Sequence, residues 1–508
     1  MFAAVNSMGL LGIDGFMVQV EADISKGLPG FDVVGLPDAA VKESRDRVRA
    51  AMKNCGYQYP VSRITINMAP ANVRKVGSVY DLPLLMGILK ASGQLNADTD
   101  EFAFIGELSL LGELRPVSGV LSMVIAAREH GIKAVFLPPQ NAAEGSVVDG
   151  ITCYPVHSVT ELVAHLLGIQ PLQPATGWQP DPNHKSFVPD FADVMGQAVA
   201  RRVMEIAAVG GHNVLLIGSP GAGKSMLAKR LPGILPDMTA DEALEATKIH
   251  SVAGTLGADT GLLQERPFRS PHHTVSVAGL TGGGTTPRPG EVSLAHHGVL
   301  FLDELPEFSR QSMESLRQPL EDSRVTISRV NATVTYPCTF MLVAAMNPCP
   351  CGFYGHPTHA CTCSPQAVRR YLSRISGPLL DRIDLHIEVP PVQFDELSSK
   401  KKSESSADIR VRVNKAREIQ NARFAGTDIT CNAHIPDSQL KNWCPVSDSA
   451  EQLLRDVFDK LGLSARAYNR ILKVARTIAD MDGSEVIDFA HIAEAVQYRS
   501  LDRKYWGE

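Results

Sequence analysis

Short apolar runs that alternate with polar positions take turns with amphipathic stretches of three-to-four-residue spacing over the first third of the chain. Residues 16–22, 63–68, 102–106 and 134–137 read as strands, and 39–54, 82–91 and 120–130 as helices. That alternation predicts an α/β or α+β domain over residues 1–168. The pattern stops at 169–189, where five prolines between Pro171 and Pro189 sit among Gln, Asn, Asp and Thr, a composition that reads as a linker. From Asp190 the order is helix, apolar strand (213–217), glycine-rich turn and helix, then strands at 299–302 and 340–345. This is the order of a parallel nucleotide-binding sheet, expected over 190–397. A polar break at 398–408 holds Lys400, Lys401 and Lys402 and reads as a solvated loop, with a phosphate contact as the alternative. Residues 409–508 carry helical periodicity, seen in Leu453, Leu454, Val457 and Leu461 and again in Ile471, Leu472, Ala475, Ile478 and Ala479. A helical subdomain is expected there.

Length fits this three-part reading, because 508 residues can bury several cores. Hydrophobic residues at 44% and charged residues at 20% exclude a disordered, collagen-like or coiled-coil chain. No basic segment precedes an apolar stretch at the start and no run of eighteen apolar residues occurs, so a cytoplasmic protein without membrane contact is expected. The net charge of −6, from 49 basic and 55 acidic residues, provides no global field for nucleic acid. Any such site must be local.

The strongest chemical signal is Gly218-Ser219-Pro220-Gly221-Ala222-Gly223-Lys224-Ser225, which fits G-x-x-x-x-G-K-[ST] between a predicted strand and a predicted helix. Its glycines let backbone N–H groups wrap phosphates, Lys224 neutralises β and γ oxygens, and the Ser225 hydroxyl is placed for Mg²⁺. Downstream, the apolar strand after Gly298 ends in Asp303 and Glu304. Asp303 suits the metal shell and Glu304 a general base on the attacking water, so the pair points to ATP hydrolysis rather than binding alone. A third strand ends at Asn347, whose amide falls where a γ-phosphate would sit. Arg382 lies in a short acidic and apolar context, and Arg466 and Arg470 occupy i and i+4 of one helical face. For these arginines a structural ion-pair role is the competing reading.

Two segments are candidates for DNA. Residues 266–290 contain Arg266, Arg269 and Arg288, two histidines and no acid, a locally positive glycine-rich insertion whose plain alternative is a surface loop. Residues 324–336 alternate as a hairpin turning near Asn331 and carry Arg329. Cys349, Cys351, Cys361 and Cys363 fall within fifteen positions, the arithmetic of a metal site rather than of disulfides. Four thiolates suit structural Zn²⁺. His356 or His359 could replace one sulfur, and reduced cysteines or a redox pair are the alternatives.

At these motifs the sequence resembles the AAA+ ATPases, within them the magnesium-chelatase-like branch that also holds the MCM helicases. Stretches such as PFRSPHHTVSVAGLTGGG, PGEVSLAHHGVLFLDELPEF, NPCPCGFYG and LSARAYNRILKVARTIAD carry the likeness. The resemblance implies an AAA+ P-loop core with a parallel sheet and an α-helical lid. It implies that Asn347 is the sensor-1 amide, Arg382 the finger that reaches a neighbour's nucleotide, and Arg466 the sensor-2 arginine, with Arg374 as a rival finger. A finger acting on a neighbour implies a homo-hexamer. The 266–290 segment would be the helix-2 insertion and 324–336 the pre-sensor-1 hairpin, both directed at DNA in a central pore. The implied activity is that of a helicase or translocase that drives branch migration on single-stranded, branched or recombinase-coated DNA during recombination of incoming DNA in natural transformation. The alternative is a motor that remodels a protein partner, as the chelatase motor does.

Residues 1–168 are similar to the Lon-protease fold, a ribosomal-protein-S5-like α+β domain. In Lon the nucleophile lies in an Asp-Gly-Pro-Ser-Ala-Gly run; here the stretch is Asp81-Leu82-Pro83-Leu84-Leu85-Met86-Gly87, and leucine at 121 stands in the lysine's place. A Ser–Lys mechanism needs a hydroxyl and an amine, so a non-proteolytic scaffold is expected.

Overall fold

A computed structural model describes residues 1–180, 188–284, 287–329, 332–392, 403–461, 463–499 and 501–506. Asn331 and Lys400, Lys401 and Lys402 lie outside the described residues. The chain packs as two units, one made of 1–184, 240–264 and 330–336, the other of 185–239, 265–329 and 337–508.

In the first unit, strands β1 (Phe2–Leu11), β2 (Asp14–Ser25), β3 (Gly30–Val34), β4 (Arg63–Ala69), β5 (Phe102–Phe104), β6 (Ala134–Leu137) and β7 (Thr152–Pro155) form one sheet. Their order is β3-β4-β2-β1-β5-β6-β7. β1 pairs antiparallel with β2, and β2 with β4, while the β1-β5-β6-β7 side is parallel. β1 was not expected. Its Ala, Asn, Ser and Gly content gives little β signal, and its central residues are buried without alternation. Helix α1 (Ala39–Asn54) begins at Asp38, whose carboxylate accepts from the Val41 N–H at 2.9 Å. Helix α2 (Asp81–Ala91) is buried at every residue but Lys90, which places the run corresponding to the Lon nucleophile motif in the middle of the core. α3 (Val120–Glu129) and α4 (Val159–Leu166) complete the helices that matter here.

The packing boundary departs from the expected boundary at 190. Helix Ala240–Ala253 groups with the first unit because buried Glu144 accepts from Ser251 Oγ at 2.5 Å, and the Gly119 N–H donates to the Ser251 carbonyl at 3.0 Å. Burial drives the Glu144 carboxyl up, against bonds from Ser251, Asn141 and Leu121.

The second unit opens with α5 (Ala198–Gly210), β8 (Val214–Ile217) and α6 (Lys224–Arg230). β9 (Phe268–Arg269), β10 (Val299–Leu302), β13 (Met341–Met346) and β14 (Leu385–Glu388) join β8 in a sheet of order β9-β10-β13-β8-β14, parallel throughout. β8, β10 and β13 are buried at every residue, as a sheet covered on both faces requires. Between β10 and β13 in the chain, strand β11 (Arg324–Arg329) belongs to this unit, while β12 (Ala332–Pro337) groups, all but its last residue, with the first. The expected helical subdomain consists of α7 (Ser406–Arg423), α8 (Asp448–Leu461), α9 (Ala465–Met481) and α10 (Phe489–Gln497). It shares a core with the parallel sheet instead of standing alone: Val413, Ile471 and Ile492 belong to the same buried cluster as Leu216 and Val343.

Candidate nucleotide site

The phosphate loop leaves the carboxyl end of β8, with β13 on one side and β14 on the other, the place where open parallel sheets bind ligands. Gly221 and Gly223 have φ of 79° and 93°, values that side chains disfavour, and they let the loop turn into α6. Lys224, nearly buried, donates to the Gly218 carbonyl at 2.7 Å, the Ser219 carbonyl at 2.9 Å and Asn347 Oδ1 at 3.0 Å. Burial pulls its ammonium below the ordinary lysine value, opposed by the charges of Asp303 and Glu304. The Ser225 hydroxyl donates to Asp303 Oδ2 at 2.5 Å. Four residues singled out in three sequence segments are thus in contact, delivered by the ends of three adjacent strands.

Glu304 follows with φ 52° and ψ 47°, a left-handed conformation that costs a non-glycine residue roughly 1–2 kcal/mol. Its N–H donates to Asp303 Oδ1 at 3.0 Å, and its exposed carboxylate lies 3.6 Å from His273 Nδ1. Backbone strain of this kind tends to collect at active sites and ligand clamps.

The arginines divide. Arg382 and Arg466 both line a cavity of about 590 Å³ together with Glu321, Asp384, Arg470 and Lys473, and no phosphate-loop residue lines it. The Arg382 guanidinium is bonded to Glu321 and the Pro378 carbonyl, and burial, with crowding by Arg317 and Arg466, lowers its pKa. Arg466 is exposed at the start of α9, where Ser464 caps the helix. Its i+4 neighbour Arg470 is committed to Asp384; burial would raise that carboxyl, but Arg470 and His212 hold it far below the usual range. Arg374 instead donates to the Pro306 carbonyl at 3.1 Å and to Glu307 at 2.9 Å, two and three residues after Glu304.

Of the positive insertion, Arg266 donates to the carbonyls of Pro236, His297 and Asp237, and Arg269 forms a two-bond pair with Glu291 at 2.7 and 2.8 Å. These two are spent inside the protein. Arg288 and Arg329 are exposed, and their hairpins adjoin: a Cβ on Gly282 would come within 2.8 Å of Ile327 Cδ1, and one on Gly283 within 3.4 Å of Arg329 Nη2.

The four cysteine sulfurs gather within 4.8 Å of one another, with Cys349 to Cys351 at 3.3 Å, Cys351 to Cys361 at 3.5 Å and Cys349 to Cys361 at 3.7 Å. A tetrahedral metal with Zn–S bonds of about 2.3 Å separates its sulfurs by roughly 3.8 Å, so the donor set fits. His356 and His359 bond to each other's loop and to Thr358 and are not among these four donors. The cluster touches the nucleotide site, since Gly352, at φ 84°, lies so close to Pro220 that a Cβ would fall 2.4 Å from its Cδ.

Sequence reading missed Gln197. It is buried with φ 54°, and its amide donates to the Ala222 carbonyl at 3.3 Å and the Pro390 carbonyl at 2.6 Å, tying the phosphate loop to the start of α5. The Gly196-Gln197 pair before a helix was the available signal. In the first unit, Leu84 and Leu121 are fully buried, and Asp81 is enclosed by Ser44, the Leu108 N–H and Arg47, whose Nε and Nη2 approach at 2.6 and 3.0 Å. No hydroxyl–amine pair exists at those positions.

A parallel sheet, a phosphate loop at its carboxyl edge and an Asp-Glu pair at the end of a nearby strand define an AAA+ type ATPase core. Family matches agree: the description magnesium chelatase, subunit ChlI covers residues 190–397, subunit ChlI of Mg-chelatase covers 20–141, and its C-terminal description covers 403–499. The chain is 45% identical over 508 residues to competence protein ComM of Haemophilus influenzae, covering 99% of this chain and 98% of that protein. It is 44% identical over 504 residues to YifB of Escherichia coli, covering 98% and 97% respectively. A Lon protease of Mycolicibacterium smegmatis is 25% identical over 171 residues, 32% of this chain and 22% of that protein. The chain belongs to the ComM/YifB family of magnesium-chelatase-like AAA+ proteins. Among the described residues no helix is long and apolar enough to cross a membrane.

Proposed function

We propose that the protein is a hexameric, cytoplasmic, ATP-driven DNA motor that promotes branch migration during recombination of incoming DNA. The observation that carries the motor half is the meeting of Lys224, Ser225, Asp303 and Asn347 at the edge of the parallel sheet. The DNA half rests on full-length similarity to a protein named for competence, and on exposed Arg288 and Arg329 on adjoining hairpins.

In this reading the backbone of residues 218–223 and Lys224 bind the β and γ phosphates of ATP, while Ser225 and Asp303 hold Mg²⁺, which neutralises phosphate charge. Asn347 orients the water, and Glu304 accepts its proton as the water oxygen attacks the γ-phosphorus and ADP leaves. Arg382 is the finger that reaches a neighbour's nucleotide and Arg466 the sensor-2 arginine; the two line one cavity, and the site is completed only in a ring. Arg374, bonded beside Glu304, is the weaker finger. Cys349, Cys351, Cys361 and Cys363 would hold structural Zn²⁺, which would brace the loop that follows Asn347. Phosphate contacts by Arg288 and Arg329 track the DNA backbone with little sequence preference, on single-stranded, branched or recombinase-coated substrates.

The test is ATPase measured with and without single-stranded and forked DNA, beside strand displacement on a three-way branch. Stimulation with displacement is expected. A preparation that hydrolyses ATP but shows neither is a motor for another substrate, with a protein partner the leading one.

A further inference from the structure

The cavity lined by Arg382 and Arg466 lies at the amino ends of the parallel strands, with Asn213, Phe340 and Asp384 directly before β8, β13 and β14. Another part of its wall is Thr430, Ala433 and His434. Within that stretch Cys431 is buried, and its sulfur rests against the turn that ends α5. A Cβ on Gly211, itself a lining residue, would fall 2.7 Å from Sγ.

One tight turn carries an imidazole to this thiol. The His434 N–H donates to the Cys431 carbonyl at 3.0 Å, and the exposed His434 ring is fixed by Thr430 Oγ1 at 2.7 Å from Nδ1. The elements packed here add positive charge. Arg417 of α7 donates to the Thr430 carbonyl at 3.1 Å, and its buried Nε has no hydrogen-bond partner among the described residues. Fully buried His212 acts on the thiol, and Lys473 of α9, which donates to the Ala433 carbonyl at 3.4 Å, acts on the imidazole. The buried or bridging acids nearby are engaged elsewhere: Asp384 with Arg470, Asp437 with Lys473 at 3.1 Å, and Asp480 with Arg423 and Arg476. Asp428, also on the cavity wall, is exposed.

Burial favours the neutral thiol, but His434, then Arg417 and His212, outweigh it and bring Cys431 down to about 5. The thiolate in turn raises the imidazole of His434. Cys444, the other buried cysteine of the helical subdomain, is pushed up by burial to about 11.

We infer that Cys431 and His434 form a thiolate–imidazolium pair that reacts with small hydroperoxides entering from the cavity. The thiolate sulfur attacks the terminal peroxide oxygen, an S–O bond forms and the O–O bond breaks. The departing oxygen takes a proton from His434 and leaves as water or an alcohol. Sulfur is oxidised to a sulfenic acid and the peroxide is reduced, so the two reactants balance. Cys431 is 3% exposed, which restricts the reaction to small reagents.

The test treats the full chain with hydrogen peroxide at a series of values from about pH 7.5 to about pH 5.5 and quenches with catalase. Sulfenic acid is then trapped with dimedone at one common pH, and the Cys431 adduct is counted by peptide mass spectrometry. An unstructured cysteine peptide in the same tube reports an ordinary thiol, whose thiolate fraction and rate fall about a hundredfold over that range. The Cys431 rate should change by less than about twofold, because the thiol stays ionised throughout. His434→Gln removes the cation from an exposed position and should restore a fall of about tenfold or more, while His434→Lys, which keeps a cation, should hold the profile flatter than glutamine does. No adduct at Cys431, or a rate that falls in step with the peptide's, overturns the inference on the unsubstituted chain alone. A profile in His434→Gln that matches the unsubstituted chain overturns the pairing with His434.

Discussion

The two units each contain an aspartate at a motif that elsewhere performs chemistry, and the two aspartates have opposite surroundings. Asp81, where the Lon-like domain would carry its catalytic run, is fully buried and saturated by Ser44, Arg47 and the Leu108 N–H. Asp303, at the end of β10, meets one hydroxyl and one backbone N–H near the buried Lys224 amine. The first arrangement consumes all the polar capacity of the carboxylate in holding α1 to α2; the second leaves carboxylate lone pairs unused beside the phosphate loop. A motif's residues indicate function only where their bonding capacity is not already exhausted by the fold.

The largest effect that could break this comparison is at Glu304. Glu304→Gln keeps shape and hydrogen-bonding reach but cannot take a proton, so turnover should fall about 10²- to 10⁴-fold while nucleotide binding and ring assembly persist. Steady-state ATPase beside binding of a fluorescent nucleotide checks it, and retained hydrolysis would place the base elsewhere. At Asp81 the prediction is of stability, not rate. Asp81→Ala leaves Arg47 without its buried partner and should cost about 3–5 kcal/mol by chemical denaturation of the full chain. Were Asp81 a reacting group, Asp81→Asn would instead leave the melt intact and remove an activity.

A smaller effect is expected where the cysteine loop meets the phosphate loop. Gly352→Ala combines a disfavoured φ with a Cβ directed at Pro220, a strain of roughly 1–2 kcal/mol, and should weaken ADP binding by about tenfold. Removal of metal with a chelator should loosen the same contact and lower ADP affinity in the unsubstituted protein, with thiol titration showing four newly reactive cysteines. An unchanged ADP affinity after metal loss would show that the cluster folds its own loop and nothing more.

The sequence disclosed the parallel sheet well and the first unit less so. β8, β10 and β13 are continuous apolar runs ending in punctuated motifs, and Lys224, Asp303 and Asn347 could be aligned from strand ends alone. β1 was illegible because small residues buried on both faces show neither alternation nor β-branched enrichment. Helix Ala240–Ala253 joins the first unit through contacts distant in sequence, among them Glu144 finding Ser251 more than a hundred residues away, and no local pattern encodes that. Gln197 was missed for a related reason: it holds the phosphate loop through backbone carbonyls that only packing brings to it.

Charge counting was least informative in the insertion, and there the expected effect is smallest. Arg266, Arg269 and Arg288 look equivalent in a stretch without acids, yet Glu291, just past its end, neutralises Arg269, and three backbone carbonyls engage Arg266. Arg288→Ala should therefore reduce the slope of log affinity against log salt for single-stranded DNA by about one per subunit contact, uniformly across sequences, with the melting temperature unchanged. Arg269→Ala should act the other way, leaving the salt slope alone and loosening the insertion, because its partner Glu291 lies at the start of a short helix that it would no longer anchor. If Arg269→Ala removed the salt dependence and Arg288→Ala did not, the division between arginines spent inside the fold and arginines left for DNA would fail at its own test.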